Sequence, residues 1–219
     1  MGFDKVFAFS TVLLDGLKIT IGLSAVMIIG GLFVGILTAI GLSLKGKSVP
    51  VKAIKAIIRV YVELFRGSPL LLQLFFGYYG IAYAGIDLDM FTACSIVLIL
   101  YAGAYTCEII RSGIESIPKG QKEAGYSVGL SNFDVMRFVI FPQAFRVFLP
   151  TLMGFFIGVI KDTSIVSLVG CDDIVKQSRT IINQTGMPIQ TYTIIAVVFF
   201  AISYPLSLYV KKLEQRRAR

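Results

Sequence analysis

The stretch ITIGLSAVMIIGGLFVGILTAIGLSL, residues 19–44, runs for 26 residues without a charged side chain. As a helix it would reach about 39 Å, more than the ~30 Å of hydrocarbon in a bilayer. Gly31 and Gly35 stand four apart within it, a spacing that lets two helix backbones approach closely. Further apolar runs cover residues 69–86, 91–110 and 191–210. A shorter one, Val147–Ile160, becomes a span of about 144–164 only if Lys161 and Asp162 lie inside it. The reading is all-α: one domain over residues 1–219, an integral membrane bundle of five transmembrane helices.

Composition agrees. Hydrophobic residues make up 56% of the 219 and charged residues 16%. Counted with Gly and without Tyr, the apolar share is roughly 61%, against about 45–50% in soluble domains. The net charge of +8 sits in short blocks between apolar runs, the pattern of a membrane surface and not of a nucleic-acid groove. With no His, a Ser-His-Asp triad and His metal sites are excluded. Cys94, Cys107 and Cys171 show no metal-ligand spacing, so no metal site or disulfide framework is expected. The first run is too long for a signal peptide and has no cleavage site.

Five spans place the two ends on opposite sides. By parity, 15 of the 21 basic residues fall on one side: those of the 43–59 connection, the 111–146 connection and the tail. Lys5, Lys176 and Arg179 fall on the other. The positive-inside rule therefore puts the amino terminus outside and the carboxyl terminus inside. Lys52, Lys55, Arg59, Glu63 and Arg66 form one polar stripe at helical spacing, read as an amphipathic helix at the inner surface. Gly67-Ser68-Pro69 then interrupts it. In lipid, such a break survives only where protein or a watery cavity covers it.

The inside connection of about 113–141 is long, and long connections are commonly functional. It reads as a helix opening near Ser116-Ile117-Pro118, a stop at Gly129, and a second helix starting at Ser131 or Asn132. Two readings stand: a knob that takes force from a soluble partner, or an amphipathic helix resting on lipid.

Glu123-Ala124-Gly125, three residues, Gly129, nine residues, Val139, one residue and Phe141-Pro142 resemble the EAA signature of ABC importer permeases. The spacing is kept throughout. Gly125 replaces an Ala, Val139 an Ile and Phe141 a Leu, and Gly125 costs helix stiffness of about 0.5–1 kcal/mol. Glu63–Leu70, Gly103-Ala104-Tyr105 with Glu108 and Arg111, and Lys161–Ser164 are similar to the polar amino-acid branch of that family. The resemblance covers about Leu17 to Leu213. It implies a non-catalytic permease subunit of the cell inner membrane that pairs with a second copy or a paralogue. ABC ATPase subunits would dock on a coupling helix at Glu123–Gly129. An external amino-acid-binding protein would deliver the substrate. ATP and Mg would bind the ATPase, and this chain would hold no cofactor.

One motif points elsewhere. Residues 41–48, GLSLKGKS, fit the GxxxxGK[ST] phosphate loop. The first Gly lies in a membrane run, Pro50 biases Val49 away from helix, and no strand precedes it, so a basic inner turn is the reading.

Charges inside membrane segments default to functional candidates. Asp162 suits a substrate ammonium or cationic side chain, with Lys161 beside it and Thr163 and Ser164 adding hydrogen bonds; alternatively these residues mark the membrane border. Arg66 suits a substrate carboxylate, or pairs with Glu63 one turn back. Glu108 and Arg111 share that spacing. Ser68 and Gln73 line the pathway in this reading, and Tyr78 and Tyr79 line a cavity or form an interfacial belt. The competing function is an ion-coupled carrier or channel half acting without an ATPase, which calls for inverted repeats and midplane acids.

Overall fold

The computed structural model describes residues 3–44, 46 and 48–217. Among these every regular element is helical: α1 (Phe3–Phe7), α2 (Ser10–Ser43), α3 (Val49–Gly67), α4 (Leu70–Phe75), α5 (Ile81–Tyr83), α6 (Met90–Glu115), α7 (Lys119–Ser127), α8 (Asn132–Asp134), α9 (Phe141–Asp162), α10 (Ile174–Thr185) and α11 (Pro188–Arg217). π-helical turns, Phe76–Gly80 and Val135–Ile140, join α4 to α5 and α8 to α9, and a 3-10 segment, Thr163–Leu168, extends α9.

Four helical stretches are long and apolar enough to cross a membrane: Ser10–Ser43, Met90–Glu115, Asn132–Leu168 and Pro188–Lys212. Leu70–Tyr83 is a shorter apolar helix. The first starts earlier than the apolar run because Asp15 and Lys18 pair at 2.7 Å on its surface, so the charges do not end the helix. The second expected span, 69–86, holds this shorter helix, separated from α3 by extended backbone at Ser68 and Pro69. The part of the expected 113–141 connection from Asn132 onward is helical and forms the start of the third stretch, Asn132–Leu168.

α2 and α6 pack along the small-residue seam. A Cβ on Gly31 would fall 2.4 Å from the Ala102 Cβ, and one on Gly35 would fall 2.5 Å from Thr106. Any larger residue at either position pushes the two helices apart. Leu23, Met27, Leu98 and Val159 fill the core beside the seam. Ile29, Phe33 and Ile40 of α2 and Val197 and Phe200 of α11 stand exposed. Large apolar side chains exposed on spanning-length helices suit lipid or a partner chain and not water.

Near the amino-terminal end of α2, α10 lies against the bundle. Asp173 caps it, its carboxylate accepting from the Lys176 amide at 2.9 Å. Burial pushes the Asp173 carboxyl up to about 6. Cys94, Cys107 and Cys171 are free and buried. Of the phosphate-loop match, Gly41–Ser43 are helical, and Lys45 and Lys47 lie outside the described residues. Pro50 sits in the first turn of α3, which begins at Val49, where a missing amide costs nothing.

Candidate functional site

The break after α3 is closed by the chain itself. Pro69 has no N–H to give the Phe65 carbonyl, its partner four residues back. The Gln73 side-chain amide supplies that bond at 2.8 Å, and also donates to the Ser68 carbonyl (3.0 Å) and hydroxyl (2.9 Å). The Ser68 hydroxyl donates in turn to the Leu64 carbonyl at 2.7 Å. Ser68 and Gln73, both expected along the pathway, thus hold the bend in shape.

Arg66 stands one residue before this bend. The sequence favoured a pair with Glu63; the structure corrects this, because the bend turns Arg66 toward α6. Its guanidinium lies 3.5 Å from Glu108. Glu108 accepts from Arg111 through both oxygens, at 2.6 and 2.9 Å, and Arg111 reaches Glu115 at 2.5 Å. The expected Glu108–Arg111 pair is therefore the centre of a four-residue chain. It lies along a crevice of about 530 Å³ bounded by α2, α3, α6 and α7. Arg59 and Glu63 of the polar stripe also line that crevice, while Ile57, Val60 and Leu64 of α3 are exposed. The carboxyl-terminal part of the stripe thus faces this crevice, and apolar residues of α3 are exposed beside it.

From Arg66 an aromatic ladder climbs α6. Arg66 lies 5.6 Å from the centre of the Tyr105 ring, a cation–π distance. Tyr105 lies 4.7 Å from Tyr101 and stacks on Phe155 of α9 at 5.3 Å. Asp162 ends α9, about two helical turns beyond Phe155. The half-buried Asp162 makes no ion pair among the described residues. Arg66, Tyr105, Tyr101 and Phe155 thus form one run of contacts across three helices, with Asp162 farther along α9. Sequence reading missed Tyr101 and Phe155 as members of this set; the signal available was the Tyr101–Tyr105 spacing of four, one turn before Glu108.

The other candidates separate from this set. Thr163 is fully buried and its hydroxyl donates to Ile160, while Ser164 donates to Lys161. Lys161 points into a second crevice, between α9 and α11, which it shares with Lys211.

The knob is built around α7. Gly129, at φ +83°, ends the helix in the left-handed region. The Leu130 amide bonds the Gly125 carbonyl and the Gly129 amide bonds the Tyr126 carbonyl, the paired bonds of a Schellman stop. Gly125 is explained by packing: a Cβ there would lie 2.8 Å from Val135. The departure from Ala thus brings α7 close to the helix that follows. Ser131 caps that helix, accepting from the Asp134 amide at 3.2 Å. Tyr126 bonds Asn132 at 2.8 Å, and Gln121 accepts from Gln143 of α9 at 3.2 Å. Glu123 and Ala124 are left exposed, with Tyr126, Val128 and Phe133 as apolar tips.

The described residues thus form a helical bundle with four stretches able to cross a membrane and a short helix, α7, held between two of them. The chain belongs to the family described as binding-protein-dependent transport system inner membrane component, which it matches over residues 17–219. It is a multi-pass, non-catalytic permease subunit of an ABC transporter. It is similar to the glutamine transport system permease protein GlnP of Escherichia coli (strain K12), 34% identical over 206 residues, 93% of this chain and 92% of that protein. It is also similar to the L-cystine transport system permease protein TcyB of Bacillus subtilis (strain 168), 35% identical over 213 residues, 97% of this chain and 89% of that protein. A solved amino acid ABC transporter with histidines contains a chain of the same fold, with a TM-score of 0.89 at 33% identity over 98% of each chain. An inward-facing MetNI methionine transporter shares the fold, with a TM-score of 0.68 at 15% identity over 94% of this chain and 98% of that one.

Proposed function

We propose that this subunit imports a polar amino acid, with ATP hydrolysed by ABC ATPase subunits docked on α7. The observation that carries this reading is the knob: a helix fixed at both ends, tied to α8 and α9, with Glu123, Ala124 and apolar tips free for a partner. The amino-acid substrates of the two bacterial relatives and of the solved transporter support the substrate class. An external binding protein delivers the amino acid, and a second permease copy or paralogue completes the pathway. ATP and Mg belong to the ATPase.

The chain crosses five times in this reading. α3, bending at Gly67–Pro69 into α4 and α5, makes the second crossing, and its exposed apolar face meets lipid. The asymmetry of basic residues sets the amino terminus outside and α7 inside. The substrate passes along the ladder, its carboxylate toward Arg66 and its ammonium or cationic side chain toward Asp162.

The test is a mild-detergent purification of the tagged chain from its own membrane. We expect a soluble ATPase in equal amount and ATP hydrolysis in the eluate. Glu123→Lys and Gly129→Arg should lose the ATPase while still inserting in the membrane. A chain that purifies alone and instead takes up amino acid on an ion gradient would sink this reading in favour of a carrier.

A further inference from the structure

The crevice of about 530 Å³ below the ladder holds more charge than its ion-pair chain uses. Arg66, Glu108, Arg111 and Glu115 are committed to one another. Arg59, Glu63 and Lys122 line the same crevice and make no ion pair among the described residues. They come from two elements: Arg59 and Glu63 lie one helical turn apart on α3, and Lys122 projects from α7. Two free cations and one free anion around one crevice of this volume match a small zwitterion. A lipid phosphate would gain the cations but meet Glu63 as a like charge.

We propose that this crevice is a second, inner-side binding site for the free α-amino acid, with its carboxylate on Arg59 and Lys122 and its ammonium on Glu63. The inference rests on the import reading and on the orientation that puts α7 inside. A bound zwitterion would bridge α3 to the coupling helix. It would then resist any motion of α7 relative to α3, so accumulated product would slow the ATPase. Few and partly solvated contacts imply weak binding, on the order of 1–10 mM, which suits a brake responding only to a filled cell.

The test uses the purified complex of this chain with its ATPase in liposomes, with ATP and Mg trapped inside and the amino acid on its binding protein outside. Phosphate release is compared for empty vesicles and vesicles preloaded with 20 mM L-glutamine, a concentration roughly above the expected range. N-acetyl-L-glutamine, lacking the ammonium, and L-glutaminamide, lacking the carboxylate, serve as controls. We expect L-glutamine to lower the rate about threefold or more, and neither control to do so. Glu63→Gln and Arg59→Gln should each bring the loaded-to-empty ratio back toward one, whatever their own empty rates. Equal rates with and without L-glutamine overturn the site, as does inhibition shared by the controls or surviving both substitutions. If empty vesicles show no hydrolysis driven from outside, the import reading itself fails and the site falls with it.

Discussion

Asp162 is the residue on which the proposed substrate path turns. A carboxylate half-buried without a partner costs free energy in an apolar bundle unless a ligand or water meets it. A charge-assisted hydrogen bond contributes about 1.5–3 kcal/mol, so its loss should slow transport roughly tenfold or more. Asp162→Asn is therefore expected to cut amino-acid uptake into vesicles by that factor while the complex still elutes intact from gel filtration. Unchanged uptake would return Asp162 to a border marker. This residue was legible in the sequence because a charge inside an apolar run stands out. The role of Arg66 was not, since helical spacing offered Glu63 as readily as any acid. Only the packing of α3 on α6 brings Glu108 within reach. Thr163 shows the converse: its hydroxyl chemistry was visible, but the turn that buries it was not.

At the scale of elements, the bend between α3 and α4 shows how a chain can close a break in its own helix. Gly67-Ser68-Pro69 announced it in the sequence. The donor that repairs it is a side chain eight residues beyond the carbonyl, which no local rule pairs. Gln73→Met leaves the Phe65 carbonyl unsatisfied, a loss of about 1–3 kcal/mol. Gln73→Glu removes the donor and sets a carboxylate against two carbonyls. Both are expected to lower the unfolding temperature of the purified chain, by about 2–4 °C per kcal/mol, with the Glu variant the lower. Melting curves matching the parent for both would show that the amide does not hold the bend. The stop of α7 was read from Gly129 itself. The fit of Gly125 against Val135 needed the neighbouring helix.

For the molecule as a whole, hydropathy made the all-helical bundle legible, since lipid selects for long apolar helices, and four of the expected runs lie in stretches long enough to span. The extent of the fourth helix was less visible, because amphipathic turns after Asn132 look like a loop until they pack. Sidedness is open to direct measurement. The native cysteines are at most 3% exposed, so a chain carrying Ser127→Cys or Asn183→Cys offers one reactive thiol. On intact cells, a membrane-impermeant maleimide should label Asn183→Cys, and should reach Ser127→Cys only after permeabilisation. The reverse pattern would invert the topology. The continuous helical course from Asn132 to Leu168 also has a mechanical meaning. One rod joins the knob at its foot to Asp162 near its head, a distance of about 45 Å at 1.5 Å per residue. A tilt of about 10° at the foot would swing the head by roughly 8 Å, the reach of a long side chain. Pro150, inside α9, removes one backbone bond from the rod, which makes it the place where such a rod would bend. A bend there would divide the rod into two lever arms, so that a displacement at the knob would reach Asp162 scaled by their ratio.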